Sequence, residues 1–290
     1  MSWDSRDSDI FPDNKPQTQT QWETGVNQTF SEIMSPRSKV GRAVIDELVA
    51  WGTEKTETVT LAPFTVQDWA KKIPEKRNAG ALAVDPSAAT VLGQFPDELP
   101  DSQLRRIGNT PEGPQRDALV ASVLGTGKGS SADLLFSRQD WAQSGPSAGL
   151  DAADETLLHE IVHCVRQLSG MEQSGKLINN SPTIDKYQTY DSVEEFAAIV
   201  ITNVYRSESG RKGLRADHTL DPTTGKDKPL MFPLTNARNF VTAWRQQMLR
   251  LQTDLPRLCR RLAEVDCAFN PFFELYQSQN RFMPGTRIAV

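Results

Sequence analysis

The chain has 290 residues with a formal net charge of −5, enough length for one large domain or two small ones around a sizeable core. Its charges are mixed and no extended Lys/Arg run is present, which excludes nucleic acid as a primary partner. No apolar stretch approaches the ~20 residues needed to span a bilayer, and three cysteines do not make a secreted disulfide framework.

Residues 1–35 are rich in Ser, Asp, Thr, Gln and Pro, and this composition predicts a disordered leader with too little apolar area to offset ordering. It shows neither a basic n-region nor an apolar h-region, so a conventional signal peptide is not expected. From 36 to 290 the chain reads as one domain. The patterning predicts a short helix over 40–51, a strand over 57–61, a helix over 64–72, and short strands at 81–84 and 90–92. Residues 108–131 read as loop around a short apolar run, 119–124. Gly125-Thr126-Gly127-Lys128-Gly129-Ser130 superficially suggests a phosphate-binding loop, but Ser122 and Gly129 stand where the Walker pattern needs a glycine and a Ser/Thr. It is read as a flexible loop. Asp133-Leu134-Leu135-Phe136-Ser137 is a strand candidate, and an unpaired edge there would suit strand addition by an extended peptide.

Residues 152–169 read as one buried helix. Asp151 and Asp154 offer N-cap oxygens, acidic residues suit its positive end, and Gly170 stands where a C-terminal cap is expected. Within it lies His159-Glu160-Ile161-Val162-His163, which holds two of the chain's three histidines. Positions four apart share one helix face, so both imidazoles can present nitrogens to one ion with Glu160 beside it. The spacing predicts zinc ligands at His159 and His163 and a catalytic base at Glu160. Cys164 points about 100° away from His163 and is read as a packing residue.

A catalytic zinc keeps three protein ligands and one open position. His218 is one candidate for the third. A better one lies in Tyr190-Asp191-Ser192-Val193-Glu194-Glu195-Phe196-Ala197-Ala198, which opens a second helix capped by Asp191 or Ser192. Ala197 and Ala198 allow close helix approach, and a first-turn glutamate then reaches the metal. Residues 207–230 read as a long exposed loop. From 231 to 280 the chain is helical: Phe240, Trp244, Met248 and Leu251 form a core stripe, and Asp254 with Pro256 starts another helix. Arg257, Arg260 and Arg261 read as a solvated basic group, and Phe269-Asn270-Pro271-Phe272 as a packed turn.

At this point the chain resembles the gluzincin class of zinc metallopeptidases, in which a glutamate on a following helix completes the site. More narrowly, residues 157–166, then Gly170, look like the zinc-dependent effector proteases that Gram-negative bacteria deliver into other cells. Glu195-Phe196-Ala197-Ala198 is similar to the Glu-Phe-Phe-Ala motif of bacterial zinc toxins. The resemblance covers about 130–206. It implies an α+β, zincin-like fold, predominantly helical with a small sheet beside the active-site helix, and it prefers Glu195 as the ligand with Glu194 in reserve. The thermolysin-type aspartate four residues after the ligand glutamate is absent, since Ile199 stands there.

The implied function is a zinc-dependent endopeptidase, with Zn2+ as cofactor, acting as an effector or toxin on a protein of a target cell. Zinc lowers the pKa of a bound water to ~7 and polarises the scissile carbonyl, while Glu160 moves the proton. Tyr187, Tyr190 and His218 are the candidates for oxyanion donor. Delivery is expected through a signal-peptide-independent secretion machine, with its chaperone or carrier as a further partner, and a cytoplasmic peptidase is the other localisation. Two alternative functions stay open: a non-catalytic zinc-organised interaction module, and a zinc amidase acting on a non-protein amide such as cell wall.

Overall fold

A computed structural model describes residues 18–63, 81–84, 127, 129–136, 138, 152–172, 190, 193–211, 213–220, 229–232 and 236–282. The first described element is α1 (Gln19–Ile33), opened by a capping box in which the Thr18 hydroxyl accepts from Gln21 N and the Gln21 side chain accepts from Thr18 N. Its stripe Trp22, Val26, Thr29 and Ile33 is buried, and the Trp22 indole donates to the carbonyl of Phe136 at 2.9 Å. The leader expected over 1–35 is therefore corrected for 19–33. A polar average hides apolar residues spaced four, three and four apart, enough to seat one helix face on the core. Residues 1–17 lie outside the described residues.

Helix α2 (Lys39–Lys55) is capped by Ser38, whose hydroxyl accepts from Gly41 N. It runs longer than the 40–51 read from sequence, because Lys55 is the last helical residue before a left-handed Thr56. The strands β1 (Val59–Ala62), β2 (Ala81–Val84) and β3 (Ala132–Phe136) form one mixed sheet in the order β1-β3-β2, with β1 parallel and β2 antiparallel to β3. β3 is thus central. The unpaired edge expected at 133–137 is corrected: both sides of that strand are already hydrogen-bonded, so an added peptide finds no free ladder there. The helix expected at 64–72 and the strand at 90–92 lie outside the described residues.

Helix α3 (Ala153–Ser169) is packed by α1, by α2, by the β2 and β3 strands, and by the following helix, α4 (Val193–Glu208). Nearly every α3 residue is buried, as its two-sided apolar pattern demands. Its N-cap is Ala152, with no side-chain cap hydrogen bond, so Asp154 lies in the first turn rather than at the cap. There Asp154 accepts from the Tyr205 hydroxyl at 2.6 Å and pairs with Arg211, while Glu155 pairs with Arg206 and Arg211. Two buried carboxylates at the positive end of a helix are held by two guanidiniums from the far end of α4. Burial and the neighbouring Asp154 push the Tyr205 hydroxyl up, so it stays a donor.

At the other end of α3, Gly170 adopts the left-handed C-cap, φ 72°. The glycine loop packs onto this end: Gly127 N donates to Gly170 O and Ser130 N to Gln167 O. Gly129 has φ 77°, and a Cβ there would stand 2.1 Å from the Leu168 carbonyl oxygen. The described residues of the loop read as flexible are therefore anchored, and glycine is needed for close approach of two backbones.

The segment 207–230 is likewise not all loop: β4 (Leu214–Leu220) pairs antiparallel with β5 (Pro229–Phe232). The remaining helices are α5 (Ala237–Ala243), α6 (Arg245–Asp254), α7 (Pro256–Ala263) and α8 (Pro271–Phe282). Phe240, Trp244, Met248 and Leu251 are buried in one core with Val26, Leu157 and Ile199. The basic group on α7 is engaged more than expected, since Arg257 pairs with Glu47 and Glu54 and lies over the Trp51 ring, and Arg261 pairs with Asp46. Asn270 accepts from Phe273 N and donates to the carbonyls of Leu262 and Val265, closing the turn into α8. The described architecture is mostly helical with small sheets, an α+β arrangement. Cys164 and Cys259 are buried free thiols.

Candidate metal centre

The stretch of α3 from His159 to Arg166 faces the first turn of α4, where Glu194 and Glu195 stand. His159 and His163 sit four residues apart on α3, with ring centroids 4.9 Å apart and planes at 81°. Their Nε2 atoms approach to 3.2 Å. From α4, the Glu195 carboxylate lies 3.2 Å from His159 Nε2 and 3.5 Å from His163 Nε2. The three side chains form the group of nitrogen and oxygen ligands that can hold a metal ion among the described residues.

The donor set could hold a metal ion, since imidazole nitrogen and carboxylate oxygen suit zinc and several other divalent metals. With ligands at about 2.0–2.2 Å in a tetrahedron, any two ligand atoms stand about 3.3 Å apart. The two Nε2 atoms stand 3.2 Å apart, and Glu195 turns one carboxylate oxygen to each ring, Oε2 at 3.2 Å from His159 Nε2 and Oε1 at 3.5 Å from His163 Nε2, so the three groups face one small volume. Two imidazole nitrogens and a carboxylate oxygen all carry lone pairs, so their convergence favours a positive charge between them. His159 is almost wholly buried, its side chain 1 % exposed, whereas His163 and Glu195 are 16 % and 17 % exposed. His159 therefore lies at the closed side of the group, and His163 and Glu195 at its partly exposed side.

The electrostatics follow from the same placement. Burial pushes the His159 imidazolium down to about 3, against the pull of Glu195. At His163 burial acts in the same direction, but the charges of Glu195, Glu160 and Glu194 outweigh it and hold the ring up to about 9. The two rings thus differ in proton affinity because only one faces three carboxylates.

Glu160 follows His159 directly and is 8 % exposed, buried but within the field of His163. Glu194 does not join the cluster. Both of its oxygens accept from Arg166 Nε at 2.8 Å, and its Oε2 lies 3.9 Å from His163 Nδ1. Arg166 also donates to Asp254 and to the Met171 carbonyl. Tyr190 is a core residue: its ring packs edge-on against Phe196 and Trp244, with centroids 5.0 and 5.1 Å away. His218 belongs to β4 rather than to a loop. Asp151, Tyr187, Asp191 and Ser192 lie outside the described residues.

Two participants escaped the sequence reading. Arg166 is fully buried on an apolar helix three residues after His163. That position signals a required acidic partner, but nothing in the local pattern says which acid supplies it. Arg215, at the start of β4, is also buried, with its backbone fixed on both sides by the Asn203 amide at 2.8 Å, and its charge further lowers the proton affinity of His159. No protein-family model, curated protein or solved structure matches the chain.

Proposed function

We propose that this chain is a zinc-dependent endopeptidase of gluzincin type with a zincin-like fold, in which His159, His163 and Glu195 hold the metal and Glu160 is the catalytic base. The observation that carries the reading is the convergence of two imidazole nitrogens and the Glu195 carboxylate on one small volume, with a buried carboxylate, Glu160, beside His159 that is not needed as a ligand. When bound, zinc supplies Lewis-acid polarisation and a lowered water pKa. Glu160 then takes a proton from water and returns it to the leaving amine, a transfer worth typically ~10²–10⁴ in rate.

The effector or toxin role, with a target-cell protein as substrate and delivery by a signal-peptide-independent machine, rests on the resemblance of 157–166 and 195–198 alone. The decisive experiment exposes candidate target lysates to the wild type and to Glu160→Gln, and compares new peptide termini. The glutamine variant keeps the ligands, so its zinc content and fold should match wild type while its termini disappear. Termini produced equally by both proteins would defeat the enzyme reading in favour of a zinc-organised interaction module. New amide cleavage in cell-wall fragments without protein cleavage would favour the amidase.

A further inference from the structure

His163 has its two ring nitrogens divided between two glutamates that are adjacent in sequence. Nε2 faces His159 and Glu195 inside the ligand triangle, at 3.2 and 3.5 Å. Nδ1 faces Glu194, at 3.9 Å from Oε2. Glu194 is 5 % exposed and has both oxygens within 2.8 Å of Arg166 Nε. The guanidinium is in turn fixed by Asp254 at 3.3 and 3.4 Å and by the Met171 carbonyl at 2.6 Å, and Asp254 takes a further bond from Arg250 at 2.8 Å. A fully buried cation with two carboxylates and a carbonyl around it has one low-energy position. The Glu194 carboxylate is therefore fixed from behind with Oε2 3.9 Å from the imidazole Nδ1, an ion-pair approach that needs a shift of about 1 Å to become a hydrogen bond.

We propose that Glu194 is a positioning residue for the metal centre: it accepts the Nδ1 proton of His163, sets that ring's tautomer so that Nε2 is the ligating atom, and is held off the metal by Arg166 and Asp254. The proposal deepens the metal-centre reading above and rests on it. A histidine ligand that donates its other N–H to a carboxylate is fixed in orientation and made more basic, and loss of such a partner typically costs ~10–100-fold in metal affinity. The arrangement also gives the paired glutamates separate tasks: Glu195 ligates and Glu194 orients. It ties the site to the C-terminal helices, because the outermost anchor, Asp254, is the last residue of α6.

Glu194→Gln is the informative variant. An amide in place of the carboxylate has one oxygen for two donors, Arg166 Nε and His163 Nδ1, so its N–H group must face one of them. Zinc affinity of the full chain is measured by competition with a chromophoric chelator, with folding followed by circular dichroism and urea midpoint. The expected result is wild-type-like folding with zinc affinity about ten- to a hundredfold weaker, and a smaller loss in Asp254→Asn, one bond further out. A Glu194→Gln dissociation constant within twofold of wild type overturns the proposal, even if the urea midpoint falls, since that is the outcome of a purely structural salt bridge. Should the glutamine variant fail to fold, the imidazole tautomer of zinc-loaded wild type decides by nitrogen-15 NMR. Zinc on Nε2 with a downfield, hydrogen-bonded Nδ1 proton on His163 upholds it, and zinc on Nδ1 overturns it. Failure of wild type to bind zinc at all is a different result, which defeats the metal-centre reading itself.

Discussion

The charge state of His163 is the residue-scale property with the clearest measurable consequence. Zinc ligation requires both imidazoles neutral. At pH 7 His159 already is, held down by burial to about 3, whereas His163 is protonated because Glu195 and its neighbours raise it to about 9. Zinc binding at pH 7 should therefore expel about one proton, and zinc affinity should climb roughly tenfold per pH unit toward pH 9. Titration calorimetry in two buffers of different ionisation enthalpy measures the proton count directly. A count near zero would mean that His163 is neutral before the metal arrives. The same shifts give the metal-free protein a stability optimum. His163, raised above its ordinary 6.5, contributes stability that is complete below that value and is lost as pH rises through 9. His159, lowered below 6.5, binds its proton only in the unfolded chain, so stability falls as pH drops from 6.5 toward 3. The urea midpoint of the metal-free chain should peak near pH 6.5, and both flanks attributable to these rings should vanish in a His159→Ala/His163→Ala double variant.

At the scale of elements, α3 is held at both ends by partners from distant sequence. Its first turn is clamped by Arg206 and Arg211 of the α4 end, and its last turn receives the backbone of the glycine loop. Gly129→Ala meets the Leu168 carbonyl at 2.1 Å in addition to a positive φ, whereas Gly210, φ 69°, has nothing within 4 Å of a Cβ. Gly210→Ala should cost only its backbone strain, on the order of 1 kcal/mol. Gly129→Ala should cost distinctly more, because the last turn of α3 must shift, and equal urea midpoints in the two variants would show that the loop is not seated there. How much of this was legible depended on the range of the signal. His159, Glu160 and His163 were readable because four residues make one helical turn, and the paired glutamates because they open a helix with small residues behind them. The split between Glu194 and Glu195 was not readable, since it depends on Arg166 reaching across 28 residues and on Asp254 reaching across 88. β3 was legible as a strand, but its central place depends on β1, whose residues lie more than 70 positions earlier, as in the pairing of Val59 with Ala132. Hydrophobic period is local information, whereas strand order and buried ion pairing are not.

For the molecule as a whole, α1 ties the end of the sheet to the flank of α3. Its sequence, rich in Gln, Thr and Glu, averages as polar, yet Trp22 is 1 % exposed and Val26 and Ile33 are fully covered. The Trp22 indole also satisfies the carbonyl at the end of the central strand, and Glu32 forms a two-bond pair with Arg138 just beyond that strand. One helix thus covers both the sheet end and the flank of α3, which it contacts directly. Removing residues 1–35 would take away the buried Trp22, Val26 and Ile33 side chains and leave the Phe136 carbonyl without its indole donor. Trp22→Ala alone should cost about 3–5 kcal/mol, the range for deleting a large buried aromatic, and the 1–35 deletion should cost at least as much. Because no α1 residue belongs to the group that would hold the metal, Trp22→Ala should bind zinc with unchanged stoichiometry at temperatures where it remains folded. Thermal unfolding with and without zinc checks both statements. A deletion protein that melts at the wild-type temperature would show that α1 is dispensable and that the folded unit begins at α2.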